Sequence, residues 1–290
     1  MAVNRSRLID EKFVHILSQH STTFSPNPDQ ILCEESALDG RKAIEIFSSM
    51  ISSRHLDIHA RELKKDKQSF YTIGSSGHEL NSVLGSISRY NDPAYLHYRS
   101  GSFFLQRAKQ DQSVSAEFDV LRGMVASSDE PISGGRHKVF GSVPLFVPPQ
   151  TSTIASHLPK AVGAAFTIAR QKRLNIPSPL PEDSIVLCSF GDASSNHSSA
   201  CGAFNTAALA DHQNLPCPIL FVCEDNGIGI STRTPKDWIE RRFGPDPGLK
   251  YFRCDGLDLI DSYRIAKQAV NYVRETRRPT FLHIKLIRLM

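Results

Sequence analysis

The sequence predicts an α/β protein with a parallel sheet flanked by helices. Residues 184–190 and 218–223 are short, continuously apolar runs, which is typical of strands buried on both faces. Residues 281–289 indicate a third strand, and helices are expected at about 197–210 and 257–276. Because strands alternate with helices, the pattern predicts a parallel sheet joined by right-handed crossovers.

The N-terminal half of the chain is predicted to be mainly helical. An amphipathic helix is expected up to about residue 20, followed by a polar linker at 21–30. A long helix is expected from about Ser36, with Asp39 as a weak capping signal. Its apolar residues recur at helical spacing and predict a core-facing stripe: Ala43, Ile44, Phe47, Ile51 and Leu56.

The remaining segments complete the predicted organisation. A long loop at 127–149 precedes a helix of small residues at 155–170, and the segment after residue 223 is expected to be irregular up to the helix near 257. We expect residues 1–35 to form an N-terminal helix and linker. Residues 36–290 are expected to form one domain.

Composition excludes several classes of protein. The 290-residue chain has a formal net charge of +4, 40% hydrophobic residues and no dense basic run, so neither nucleic acid nor a membrane is expected as a partner. Its six cysteines form no CxxC pair, and no secretory segment precedes them. We therefore expect reduced cysteines in a soluble, cytoplasmic protein.

Polar residues follow two of the predicted strands at the point where each strand ends. Asp192 comes directly after the first strand, and Asn226 follows the second. Ligands of parallel sheets bind beyond the carboxyl ends of the strands, so neighbouring strands would place these two side chains across one crevice. A carboxylate, an amide and a backbone carbonyl near Ile228 suit Mg²⁺ and leave room for two diphosphate oxygens. The same residue types also suit ordinary turns.

These segments resemble the alpha subunit of thiamine-diphosphate-dependent 2-oxo acid dehydrogenases of the branched-chain and pyruvate type. The resemblance extends from about residue 70 to the C-terminus. It rests on the strand–Gly-Asp–helix–strand–Asn-Gly arrangement and on these motifs: Gly134-Gly135-Arg136, Leu158-Pro159-x-Ala161-Val162-Gly163-Ala164-Ala165, Phe204-Asn205-x-Ala207-Ala208 and Ile230-Ser231-Thr232.

The resemblance implies a thiamine-diphosphate-binding fold with Mg²⁺ and assigns roles to individual residues. Asp192 and Asn226 would bind Mg²⁺ through their side chains, and Ile228 through its carbonyl. The diphosphate would be neutralised by Arg99. The other residues implied to contact the cofactor are Tyr98, Ser152, Ile154, Gly191, Ala193, Ser194 and Glu224.

Several positions depart from the family pattern. Ala193 replaces the usual glycine, and Asp192 and Asn226 are 226 − 192 = 34 positions apart, a few more than usual. The family's histidine-bearing loop beyond the last strand is not in this sequence, so we expect a C-terminally truncated alpha-type domain. The segment around His137 is shorter than its counterpart, and the catalytic residues stay unassigned.

The resemblance implies oxidative decarboxylation of a 2-oxo acid, with a branched-chain substrate favoured over pyruvate. The expected partners are a beta subunit or fused beta half, in an alpha–beta assembly such as a heterotetramer, and a lipoyl-bearing acyltransferase. Two alternatives remain open. One is another thiamine enzyme, such as an acetoin dehydrogenase or a transketolase-like protein, and the other is a non-catalytic assembly module.

Overall fold

The computed structural model describes residues 4–20, 27–69, 71–137, 139–150, 153–171 and 173–290. The strands are β1 (Ile31–Cys33), β2 (Leu38–Asp39), β3 (Ala94–Tyr95), β4 (Val186–Gly191), β5 (Ile219–Asp225), β6 (Lys250–Asp255) and β7 (Thr280–Lys285). The helices are α1 (Arg5–Gln19), α2 (Gly40–Lys65), α3 (Ser82–Ile87), α4 (Gly101–Ala108), α5 (Ala116–Met124), α6 (His157–Gln171), α7 (Ser198–His212), α8 (Trp238–Phe243) and α9 (Leu259–Thr276).

A parallel five-stranded sheet forms the centre, in the order β3-β4-β5-β7-β6. Strands β4, β5 and β7 confirm the apolar runs seen in the sequence, although β7 ends at Lys285. The segment before α9 was predicted to be irregular, and this was wrong because it contains β6. As an edge strand, β6 is only partly buried and therefore lacks the apolar run of a central strand.

Each face of the sheet packs against its own apolar cluster. Successive side chains of a strand point to opposite faces. Leu187 and Leu220 accordingly join the core beneath α2, α3 and α9, whereas Phe190 and Phe221 pack with α6, α7 and α8. Phe204 of α7 is buried at the centre of the second cluster.

Helix α2 begins later than expected and buries a different face. Asp39 is its N-cap and accepts a hydrogen bond from the Lys42 backbone N–H at 2.7 Å. Of the predicted stripe, Ala43 and Leu56 are buried, but Ile44 and Phe47 are 60% and 45% exposed. The prediction was wrong at these two positions because α2 turns small and polar side chains inward. The inward residues are Ala43, Ile46, Ser49, Ser53, Leu56, Asp57 and Ala60.

The N-terminal region contains the expected first helix and, in addition, a short antiparallel pair. Strands β1 and β2 align Cys33 with Leu38, which are residues on either side of the predicted division at residue 36. That division stays a prediction. Part of the expected linker, residues 21–26, lies outside the described residues. Among the helices of the described segments, none is long and apolar enough to cross a bilayer.

Candidate functional site: a buried acid and amide at the sheet edge

The site lies where β4 and β5 end side by side. Gly191 and Glu224 are paired in the parallel register, so Asp192 and Asn226 leave the sheet at the same edge. Gly227, with a φ of +72°, turns the chain after Asn226. The following loop folds back: a Cβ on Gly229 would lie 3.0 Å from the Cβ of Ala193. The structure therefore brings together the two strand ends that the sequence singled out.

Asp192 is a buried carboxylate with an unused oxygen. The residue is 1% exposed, and its Oδ2 atom has no hydrogen-bond partner within the described part of the chain. Burial raises the pKa of Asp192, and the nearby charge of Asp225 acts in the same direction. Thr234 and the backbone N–H of Asn226 oppose this shift. A buried polar atom left without a partner points to a missing ligand, and a cation suits a carboxylate oxygen.

Asn226 has a defined amide orientation. Its Oδ1 atom accepts a hydrogen bond from the Ile228 backbone N–H at 2.9 Å. Its Nδ2 atom lies 2.8 Å from Nε2 of His78. Because the amide oxygen has two lone pairs, one acceptor position remains for a further ligand.

Glu224 lies deeper than the sequence suggested. It is fully buried and accepts hydrogen bonds from Nδ1 of His78 at 2.7 Å and from the Ser100 hydroxyl at 3.0 Å. Burial disfavours its charge, but the hydrogen bonds and charges of His78 and His97 hold the pKa of Glu224 well below its usual range. Glu224 is therefore an ionised group inside a polar network.

A cavity of about 430 Å³ lies beside these strand ends. Four residues that were predicted to bind a cofactor line it: Tyr98, Arg99, Ile154 and Ser194. Asp192, Asn226 and Ile228 are not among its lining residues, and neither are Gly191, Ala193 and Glu224. Ser152 lies outside the described residues.

Arg99 is held in place at the cavity wall. It is 8% exposed, and its guanidinium Nη1 donates a 2.6 Å hydrogen bond to the Gly74 carbonyl. The guanidinium also lies 5.1 Å from the centre of the Tyr98 ring. A fixed, buried arginine at a cavity suits an anionic ligand, since its planar fork binds phosphate oxygens in pairs.

Sequence reasoning missed two buried histidines at the cavity. His97 precedes Tyr98, and neither of its ring nitrogens has a hydrogen-bond partner among the residues that the structure describes. Its Nδ1 lies 3.7 Å from Glu224 Oε2, which is too long for a hydrogen bond. Burial is the largest cause that lowers the pKa of His97. A polar ring directly before the predicted Tyr98-Arg99 pair was the signal available in the sequence.

The second histidine, His157, opens helix α6. Its Nε2 bonds to the Ser189 carbonyl at 2.8 Å. Burial lowers the pKa of His157 to about 4, so the ring is neutral near pH 7. His137, whose role the sequence left open, and Arg288 also line the cavity.

The arrangement fits a metal-bound diphosphate cofactor. Asp192 and Asn226 offer two oxygen ligands from adjacent strand ends, and Arg99 offers a positive charge in the cavity beside them. Among the described residues, the unused Asp192 oxygen is the observation that most directly calls for a cation.

The fold and this site define an α/β protein with a ligand site at the carboxyl edge of a parallel sheet. Residues 48–290 match the dehydrogenase E1 component family. The chain belongs to this family, and the resemblance seen in the sequence is confirmed.

Curated relatives agree with this family. The chain is 29% identical over 261 residues to the mitochondrial 2-oxoisovalerate dehydrogenase subunit alpha of Mus musculus, covering 88% of this chain and 53% of the relative. It is 28% identical over 259 residues to the corresponding subunit of Caenorhabditis elegans, covering 87% and 55%. It is 27% identical over 262 residues to the pyruvate dehydrogenase E1 component subunit alpha of Porphyra purpurea, covering 86% and 71%. The chain thus spans about half the length of the two 2-oxoisovalerate dehydrogenase subunits.

Solved structures support the fold. A transketolase variant from Pichia stipitis superposes with a TM-score of 0.58 at 16% identity, covering 83% of this chain and 36% of that chain. Transketolase from Campylobacter jejuni gives 0.56 at 17% identity, covering 84% and 38%. The predicted α/β fold with a helix-flanked parallel sheet is confirmed.

Proposed function

We propose that this chain is the alpha-type subunit, or the alpha-type part, of a thiamine-diphosphate-dependent 2-oxo acid dehydrogenase. The observation that carries the proposal is the buried, unpartnered Oδ2 atom of Asp192 next to Asn226, in the described structure of a member of the dehydrogenase E1 component family. A cation at this point would satisfy the carboxylate and attract a diphosphate.

In this proposal each residue of the site has a physical task. Asp192 and Asn226 hold Mg²⁺ through side-chain oxygens, and Ile228 through its carbonyl. Arg99, already fixed by Gly74, neutralises diphosphate charge. The other contacts come from Tyr98, Ser152, Ile154, Gly191, Ala193 and Ser194, with Ile154 supporting the aminopyrimidine end of the cofactor.

The reaction proposed is the oxidative decarboxylation of a 2-oxo acid. When bound, thiamine diphosphate supplies the electron sink that decarboxylation requires. The chain's own part is to position the cofactor, to neutralise its charge and to exclude water from the cavity. A branched-chain 2-oxo acid is favoured over pyruvate, in keeping with the names of the relatives quoted above.

Partners complete the proposal. A beta subunit or fused beta half would close the cofactor site, and a lipoyl-bearing acyltransferase would receive the acyl group. Residues 36–290 would form the cofactor-binding domain. A reducing compartment such as the cytoplasm suits the chain, since all six cysteines are free and four of them are buried.

Thermal unfolding tests cofactor binding. Thiamine diphosphate with Mg²⁺ is expected to raise the unfolding temperature of the wild-type protein, because a ligand at 100 times its Kd stabilises by about 2.7 kcal/mol. Asp192→Ala should abolish the shift. Asp211→Ala is a matched control, because it removes a largely buried carboxylate that pairs with Arg278 away from this site, and the shift should persist. A wild-type protein that shows no shift, alone and with its beta partner, refutes the proposal.

Assays of the assembled protein test the chemistry. With the beta partner and a lipoyl acceptor, we expect carbon dioxide release to be faster from 3-methyl-2-oxobutanoate than from pyruvate. Ketol transfer between sugar phosphates without any lipoyl-dependent activity would favour the transketolase-like alternative. Cofactor binding with no turnover of any of these substrates would favour the assembly module.

A further inference from the structure

A row of hydrogen bonds joins a buried carboxylate to the amide of Asn226. Glu224 Oε2 lies 2.7 Å from Nδ1 of His78, and Nε2 of the same ring lies 2.8 Å from Nδ2 of Asn226. Glu224 and His78 are both 0% exposed. The two ring nitrogens of His78 therefore link two residues that are only two positions apart on β5.

The direction of each hydrogen bond in this row is determined. The Ile228 backbone N–H can only donate, so the atom of Asn226 that receives it is the oxygen and the atom facing His78 is the NH₂ group. Nε2 of His78 must then accept, which places the ring proton on Nδ1. That proton points to Glu224, whose depressed pKa keeps it an acceptor.

His78 has little freedom to move. It follows Gly77, whose φ of +96° and close approach to the Ile287 carbonyl leave no room for a side chain. The turn before it is tied to α2, because both the backbone N–H and the hydroxyl of Ser76 donate to Asp57, at 2.7 and 2.6 Å. The ring is thus fixed by the fold independently of any ligand.

We propose that His78 and Glu224 are positioning residues that fix the orientation of the Asn226 amide so that its oxygen, and not its NH₂ group, meets the cation. This inference rests on the proposed function, because it assumes a cation between Asp192 and Asn226. An unsupported amide can rotate by half a turn and present two N–H donors to the metal. Outer partners that orient metal ligands typically contribute about 10- to 100-fold in metal affinity.

The affinity for Mn²⁺, used in place of Mg²⁺ with excess thiamine diphosphate, tests the proposal. Mn²⁺ is titrated by electron paramagnetic resonance in the preparation that shows cofactor binding. His78→Phe keeps a ring but loses the acceptor, and we expect it to weaken Mn²⁺ binding by at least about 10-fold. His78→Gln can donate to Glu224 and accept from Asn226, so we expect it to retain most of the affinity.

A second buried histidine–carboxylate pair provides the matched control. His283 Nε2 lies 2.8 Å from Asp225 Oδ2, but its other nitrogen bonds to the Tyr251 hydroxyl at 2.7 Å, so its bonds do not reach Asn226. His283→Phe should lower the unfolding temperature about as much as His78→Phe while leaving Mn²⁺ affinity within about 2-fold, since its bonds do not orient a metal ligand. Equal losses of affinity in both variants would overturn the positioning role.

The wild-type protein offers a test that does not depend on a folded variant. The ¹⁵N chemical shifts of the His78 ring should show the proton on Nδ1, and a proton on Nε2 overturns the proposal. Wild-type protein that binds neither Mn²⁺ nor thiamine diphosphate refutes the proposed function itself. Normal wild-type binding that is unchanged in His78→Phe refutes only the inference about His78 and Glu224.

Discussion

Two aspartates at opposite ends of the sheet are equally buried and differently bonded. Asp92 lies before β3 and is 0% exposed, and Asp192 lies after β4 and is 1% exposed. The oxygens of Asp92 receive four hydrogen bonds: two from the guanidinium of Arg274, at 3.2 and 2.6 Å, and two from the backbone N–H groups of Arg89 and Ile185, at 2.9 and 3.0 Å. Asp192 keeps an oxygen with no partner in the described segments.

The difference separates a structural acid from a binding acid. A buried carboxylate is tolerated only when its charge is paired and its oxygens accept hydrogen bonds. The protein itself meets that requirement for Asp92, at the amino edge of the sheet. At the carboxyl edge it leaves the requirement partly unmet, which is the condition for a ligand to bind there.

The largest effect is expected at the amino edge. Arg274→Ala leaves the Asp92 charge buried without its main partner, and we expect a loss of about 3–5 kcal/mol in the free energy of unfolding. Arg278→Ala is the control, because Arg278 pairs with Asp211 but its own side chain is 52% exposed; it should cost about 1 kcal/mol or less. Urea unfolding of both variants measures the difference. Equal costs would contradict the structural role of the Asp92–Arg274 pair.

The sequence predicted the carboxyl edge better than its supporting groups. Asp192 and Asn226 were identifiable because each directly follows an apolar run, and order along the chain places both at one edge. His78 was not identifiable, because its partner Glu224 is 146 positions away and the contact depends on how a turn docks on α2. Contacts between distant segments depend on tertiary packing, which local patterns do not encode.

The fold shows the same limit. Strands β4 and β5 are buried on both faces and are therefore legible as apolar runs. Strand β3 has only two residues, too few for a pattern. In α2, apolar Phe47 lies outside and polar Ser49 lies inside, because Ser49 donates to Gln106 of α4 at 2.7 Å. A polar contact across two helices reverses what apolar spacing predicts.

Buried groups next to the cavity should make stability depend on pH, and His157 is expected to give an intermediate effect. Its pKa of about 4 in the folded protein is below the value of about 6.5 expected for the unfolded chain. Between these values only the unfolded chain binds the proton, so the free energy of unfolding falls as the pH drops from about 6.5 to about 4. At about pH 5 the loss is expected to be about 2 kcal/mol, since each pH step of one costs about 1.4 kcal/mol.

Urea unfolding of wild-type protein and His157→Gln, compared at about pH 7.5 and about pH 5, measures this contribution. Glutamine can still donate to the Ser189 carbonyl but does not titrate. The variant should therefore lose about 2 kcal/mol less than the wild type on acidification. The same pH dependence in both proteins would show that His157 titrates normally in the folded state.

The smallest effect concerns His97 and has the opposite sign to an ordinary core substitution. Its two ring nitrogens are buried with no hydrogen-bond partner in the described structure, so His97→Leu removes unsatisfied polar atoms and should raise the free energy of unfolding by about 1 kcal/mol. The same change at His283, whose nitrogens bond to Asp225 and Tyr251, should lower it by about 2 kcal/mol. Urea unfolding of both variants without ligand tests the contrast. If His97→Leu is destabilised as much as His283→Leu, then His97 belongs with Asp92 among the groups that stabilise the fold. If it is stabilised, the protein keeps His97 at a cost in stability, as expected of a residue retained for binding at the carboxyl edge.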